Sequence, residues 1–159
     1  AVAIVASAIG LSGMAGGQAL DLAATGAGAA PEGQANRLRE IHAKKTGRLL
    51  SVSLELGALL AGADRQKRDA VAGFGDVLGL VFQIADDLLD VTASSATLGK
   101  TAGKDAAQAK LTYPAVFGLD GAKRELERAL DEARSRAEAL GDRSGLLVSL
   151  AEYAAKRDR

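Results

Sequence analysis

Residues 71–90 read "VAGFGDVLGLVFQIADDLLD". On a helix drawn through this stretch, apolar side chains fall nearly all the way round rather than along one stripe, which predicts a central helix buried on most sides. Its C-terminal end carries Asp86, Asp87 and Asp90. Residues three and four apart share a helix face, so the spacing predicts that all three carboxylates converge. They sit at the negative pole of the helix dipole, an unfavourable place for acids. Close carboxylates beside an apolar core repel and lose solvation, a cost of roughly several kcal/mol unless cations compensate. A positive partner is therefore expected. Hard oxygen ligands with no histidine or cysteine nearby in the sequence favour Mg²⁺ over zinc or copper, completed by waters and substrate phosphates. The competing reading is a frayed helix end whose acids are simply solvated.

Outward from this stretch, apolar residues recur at helical spacing almost throughout, and 2 prolines leave long uninterrupted segments. The fold class is all-α. A first helix is predicted over residues 1–24, closely packed and buried, ending in "TGAGAAPEGQ". A second runs from about Asn36 to Leu60 and stops at Gly62; a third runs from near Arg65 to about Asp90. A polar loop over 92–110 follows, then a short helix at Tyr113–Phe117 with Pro114 in its first turn. Two amphipathic tail helices complete the chain, their charges read as solvated faces.

The composition excludes several classes. At 159 residues the chain is the size of one domain, large enough to bury a core without staples. It has no cysteine, so no disulfide or thiolate metal site exists. Lys+Arg and Asp+Glu both total 20 and aromatics are 3%, which argues against nucleic acid as a partner. The apolar opening "AVAIVASAIGLSGMAGG" lacks the basic leader of a signal peptide. It is too rich in Ala and Gly, and too close to Gln18 and Asp21, for a membrane span.

Three further clusters bear on the aspartates. "LGKTAGKD" places Lys100 and Lys104 among glycines, where backbone amides approach a ligand and lysines act as point charges for phosphate. It is not a P-loop, because Ser94 stands where glycine is required and the loop follows a helix. "IHAKKTGRLL" supplies Lys44, Lys45, Thr46 and Arg48; its plain reading is a basic turn on a solvated face, and the lone His42 reads as a packed histidine rather than a ligand. "GMAGGQALDL" sets Gln18 and Asp21 three apart on one helix face. Together the clusters point to a site for Mg²⁺ and diphosphate in a helical cavity.

In this order and at these spacings, "GMAGGQALDL", "IHAKKTGRLL", "FQIADDLLDVT" and "LGKTAGKDAAQAKLTYP" resemble the C-terminal half of the trans-type polyprenyl diphosphate synthases, the bacterial farnesyl diphosphate synthase branch above all. The resemblance covers essentially the whole chain. It implies an isoprenoid synthase type helical bundle around a central cavity, with Mg²⁺ as cofactor, isopentenyl and allylic diphosphates as substrates, a homodimer and a cytoplasmic location. By match to the family's motifs, Asp86 and Asp90, with Asp87 behind them, bind Mg²⁺. Lys45 and Lys100 grip the allylic diphosphate, Thr46 and Gln83 face the developing cation, and Phe82, Gln18 and Asp21 line the pocket. Lys104, Asp105 and Lys110 belong to the same neighbourhood. The family's first aspartate-rich motif is absent, so the expectation is a fragment of a longer enzyme that does not turn over alone. The alternatives are a non-catalytic subunit partnering a complete prenyltransferase, a geranylgeranyl diphosphate synthase, or a related terpene synthase.

Overall fold

The computed structural model describes residues 1–25, 33–96, 110–142 and 144–156. Among them every regular element is helical: α1 (Val2–Ile9), α2 (Met14–Ala24), α3 (Gln34–His42), a π-helical turn (Ala43–Gly47), α4 (Arg48–Leu60), α5 (Arg65–Ala96), α6 (Tyr113–Glu138) and α7 (Gly145–Lys156).

The predicted central helix is α5, which packs chiefly against α4 and α6. Phe74, Val81 and Ile84 are fully or almost fully removed from solvent, and Val77, Leu78, Ala85 and Leu88 are buried beside them. Ahead of it, Asp64 Oδ1 accepts a hydrogen bond of 2.8 Å from the Lys67 N–H, satisfying a donor that the first helical turn leaves open. Gly62, at φ 76°, closes α4 in the left-handed conformation that glycine adopts without penalty. α6, which packs chiefly on α5, buries a series of alanines, Ala122, Ala129, Ala133 and Ala137, whose small side chains permit close helix packing. Pro114 lies in the first turn of α6, and Thr112 caps it by accepting from the Ala115 N–H at 3.4 Å. The break predicted after Phe117 is present: Gly118 (φ 71°, ψ 166°) is non-helical and kinks α6. The tail charges are surface pairs, such as Arg134–Glu152 at 2.8 Å and Arg136–Glu132 at 2.7 Å, of the kind that adds little stability.

Three differences from the sequence expectations matter. The first helix is two: Gly10 leaves α1 in an extended conformation, and the turn that follows is so tight that a Cβ on Gly13 would lie 1.9 Å from the Ala8 carbonyl oxygen. Nor is this segment buried as expected, since Val2 is 84%, Leu11 86% and Leu22 66% exposed. By length and composition Val2–Ala24 would suffice to cross a membrane, but α2 is tied to the rest of the fold by Asp21 and Gly17, described below. The third helix runs past Asp90 to Ala96. The loop lysines Lys100 and Lys104, with Asp105, lie outside the described residues.

Candidate functional site

α3 and α4 form one helical path interrupted by the π-helical turn at Ala43–Gly47. Sequence periodicity predicts a continuous helix here and gives no sign of the wider turn, a feature that recurs at functional sites. It presents two consecutive residues to two different helices. Lys45 Nζ lies 2.6 Å from Asp21 Oδ2 on α2, and the Thr46 hydroxyl donates to Gln83 Oε1 on α5 at 2.9 Å. Glycines clasp the turn from both sides. A Cβ on Gly17 would lie 2.3 Å from the Lys45 nitrogen, and one on Gly79 would lie 2.6 Å from the Gly47 Cα.

These contacts close a polar cavity of about 80 Å³ lined by Asp21, Ile41, His42, Lys45, Gln83, Asp86, Asp87 and Lys110–Thr112. A cavity of this size has room for a hydrated ion or a phosphate group but not for a prenyl chain. Residues from four separate stretches thus meet at the cavity: Asp21, Lys45, Gln83 with Asp86 and Asp87, and Lys110; Thr46 does not line it and is linked to it through Gln83. Gln18 is exposed and Phe82 half-buried, and neither is among the residues lining this cavity.

The three aspartates do not converge on one point. Asp86 is exposed, Asp87 buried and Asp90 half-buried; among the described residues no three Asp, Glu or His side chains are grouped to hold a metal unaided. Asp90 instead lines a neighbouring, more apolar cavity of about 260 Å³ with Asp87, Val91, Lys110, Thr112, Pro114 and Ala115. The cause is helix geometry: successive residues are about 100° apart, so Asp86 and Asp87 leave the helix in different directions, although both reach the polar cavity and each shares a face with Asp90. An oxygen-only set of this kind suits a Mg²⁺ ion that keeps several waters and takes its remaining ligands from substrate phosphates.

His42 is the residue whose place the sequence did not indicate. It is buried, as a packed histidine should be, but its Nε2 comes within 3.9 Å of Asp87 Oδ2, so a histidine does stand beside the aspartates. Its ring lies 5.5 Å from that of Tyr113, which stacks in turn on Phe117. Its one sequence signal is position, three and four residues before Lys45 and Thr46. Among the described residues Nδ1 is buried without a hydrogen-bond partner. Burial pulls its pKa from 6.5 down to about 4, partly opposed by the Asp21 charge and reinforced by that of Lys45. At neutral pH it is uncharged, so its contact with Asp87 is no ion pair. Burial likewise pushes the Tyr113 phenol up to about 12.

A stability prediction follows from His42. Between pH 4 and 6.5 the unfolded chain takes up a proton that the folded chain refuses. The contribution of neutral His42 is therefore whole above pH 6.5 and is lost as pH falls toward 4, by about 3 kcal/mol in all. Denaturant unfolding of the native protein and of His42→Gln across this range should give curves that diverge by that amount toward acid. Parallel curves would contradict it.

Residues 1–143 match the Polyprenyl synthetase family. The chain is 40% identical to farnesyl diphosphate synthase of Escherichia coli over 98% of its length and 52% of that protein's. It is 41% identical to the chloroplastic geranylgeranyl pyrophosphate synthase of Capsicum annuum over 99% of its length and 42% of that protein's. It therefore spans about half the length of these relatives. The crystal structure of Helicobacter pylori geranyltransferase, complexed with magnesium and isoprenyl diphosphate, superposes with a TM-score of 0.78 at 29% identity, covering 96% of this chain and 49% of that one. The α5-centred bundle is thus an isoprenyl diphosphate synthase fold, and the chain belongs to the polyprenyl synthetase family.

Proposed function

We propose that this chain supplies the Mg²⁺ and allylic-diphosphate side of a prenyltransferase that condenses isopentenyl diphosphate with geranyl or dimethylallyl diphosphate to give farnesyl diphosphate. The observation that carries this reading is the meeting of Lys45, Lys110, Gln83 and Asp86 around one polar cavity. Since the chain spans about half the length of its relatives, turnover is assigned to the native protein, and these residues to binding and ionisation.

Ionisation separates a carbocation from a diphosphate. It needs fixed positive charge around the leaving group and oxygen dipoles beside the cation. Asp86 and Asp90 would hold Mg²⁺, with Asp87 set behind them; the ion, when bound, neutralises the departing diphosphate. Lys45 and Lys100 grip that diphosphate, while Thr46 and Gln83 turn oxygen toward the cation. Asp21 borders the pocket, and the apolar helices keep out water that would quench the cation. The double bond of isopentenyl diphosphate then attacks, and loss of a proton completes the new bond.

A homodimer and a cytoplasmic location belong to the same proposal. The exposed apolar side chains of α1 and α2 support the former, and the Capsicum annuum relative, named as chloroplastic, is the alternative to the latter. A geranylgeranyl product is the second reading, because that relative is as similar as the Escherichia coli one. Incubating the native protein with isopentenyl and geranyl diphosphates and Mg²⁺, then separating products by chain length, tests both. Farnesyl diphosphate as end product is expected; geranylgeranyl diphosphate favours the second reading, and no prenyl product contradicts both.

A further inference from the structure

Both oxygens of Asp87 hold groups of the protein itself. It is 4% exposed. Its Oδ2 accepts a 2.9 Å hydrogen bond from the Tyr113 N–H, at the start of α6, and its Oδ1 accepts from Gln83 Nε2 at 3.3 Å. Gln83 passes the connection on, its Oε1 accepting from the Thr46 hydroxyl. One carboxylate thus ties α5, the first residue of α6 and the π-helical turn together.

This chain of bonds has a direction. Gln83 turns its NH₂ to Asp87, the nitrogen donating and the carboxyl oxygen accepting. The amide carbonyl then faces Thr46, and the only proton that the Thr46 hydroxyl owns is committed to it. Elsewhere Thr46 presents lone pairs alone.

Resting on the reading above, we propose that Asp87 is a positioning residue rather than a metal ligand: through Gln83 it fixes Thr46 as a pure acceptor toward the developing cation, and through Tyr113 it fixes the Lys110–Thr112 wall of the cavity. Coordination of Mg²⁺ falls to Asp86 and Asp90. Mg²⁺ demands near-ideal geometry and gives up water reluctantly. A carboxylate turned inward onto a backbone N–H and an amide is built to hold protein groups instead.

Asp87→Asn separates the two roles. Asparagine keeps the shape and one acceptor for Tyr113, but its NH₂ can turn to Gln83 and permit the amide to flip, which sends the Thr46 proton outward. In the native protein carrying this substitution, the Mg²⁺ concentration for half-maximal geranyl diphosphate binding should stay within about threefold of normal, while kcat falls by about tenfold or more with little change in KM. The double variant Asp87→Asn/Thr46→Val should fall no further than the worse single variant, because both act through one chain of bonds. A Mg²⁺ requirement raised by about tenfold or more would make Asp87 a ligand, and unchanged kcat would remove its positioning role; either overturns the proposal. The contact has a readout apart from turnover: hydrogen exchange of the Tyr113 amide should speed up in Asp87→Ala. Failure of the native protein itself to turn over would count against the functional reading, whereas unchanged Tyr113 protection in Asp87→Ala would overturn this proposal whatever the reaction.

Discussion

Lys45→Ala is expected to weaken Mg²⁺-dependent binding of geranyl diphosphate by about tenfold to a hundredfold. Lys45 lines the polar cavity, and hydrogen bonds made by a charged group are each worth about 1.5–3 kcal/mol. The loss has two sources that must be separated. Lys45 also holds Asp21 at 2.6 Å, and the Asp21 side chain is only 12% exposed. Removing the lysine leaves that carboxylate without its cation, which costs about 1–2 kcal/mol of folding stability, less than in a fully buried pair because Lys45 is partly in water. Asp21→Asn in the Lys45→Ala background should restore the stability and leave the binding defect. Recovery of both together would mean that Lys45 acts only by holding the fold, and that the cavity does not take diphosphate through it.

The second large effect falls on a glycine. Gly17→Ala should destabilise the protein by about 3 kcal/mol and lower Tm by about 6–12 °C. Its Cβ would stand 2.3 Å from the Lys45 nitrogen and 2.6 Å from the Lys45 Cα. These are backbone atoms of the π-helical turn and cannot rotate aside, so α2 itself must move, carrying Asp21 with it. Gly57→Ala is the matched control: Gly57 lies inside α4 with nothing within 4 Å of its missing Cβ. There the lower chain entropy of alanine should raise stability by about 0.5–1 kcal/mol. Thermal unfolding of the two variants reads both signs. A Gly17→Ala variant as stable as the native protein would show that the turn is not clasped as described.

The central helix was legible because apolar residues all round a helix admit no other placement than the interior. The break at Gly118 and the stop at Gly62 were legible through local backbone chemistry. Other features depend on partners distant in sequence. The π-helical turn leaves no periodic mark, since one widened turn hardly shifts the apolar stripe. The approach of His42 to Asp87 arises only when α3 crosses α5. For the aspartates, the three- and four-residue spacings link Asp86 and Asp87 each to Asp90 but not to one another, and the structure turns Asp87 inward. Along α1 and α2 the alanine and glycine content suggested burial, yet the same composition serves a helix whose large apolar side chains face outward. Family resemblance identified Lys45, Gln83 and Asp86 as members of one site; their meeting at one cavity is what the fold adds.

The claim that binds these parts together is that Asp86 and its neighbours hold an allylic diphosphate through Mg²⁺. Calorimetric titration of geranyl diphosphate into the native protein, with Mg²⁺ and with EDTA, beside the Asp86→Asn variant, tests it most directly. The account predicts binding with Mg²⁺ that weakens by about a hundredfold or more on chelation and comparably in Asp86→Asn. Equal affinity in all three titrations would contradict it.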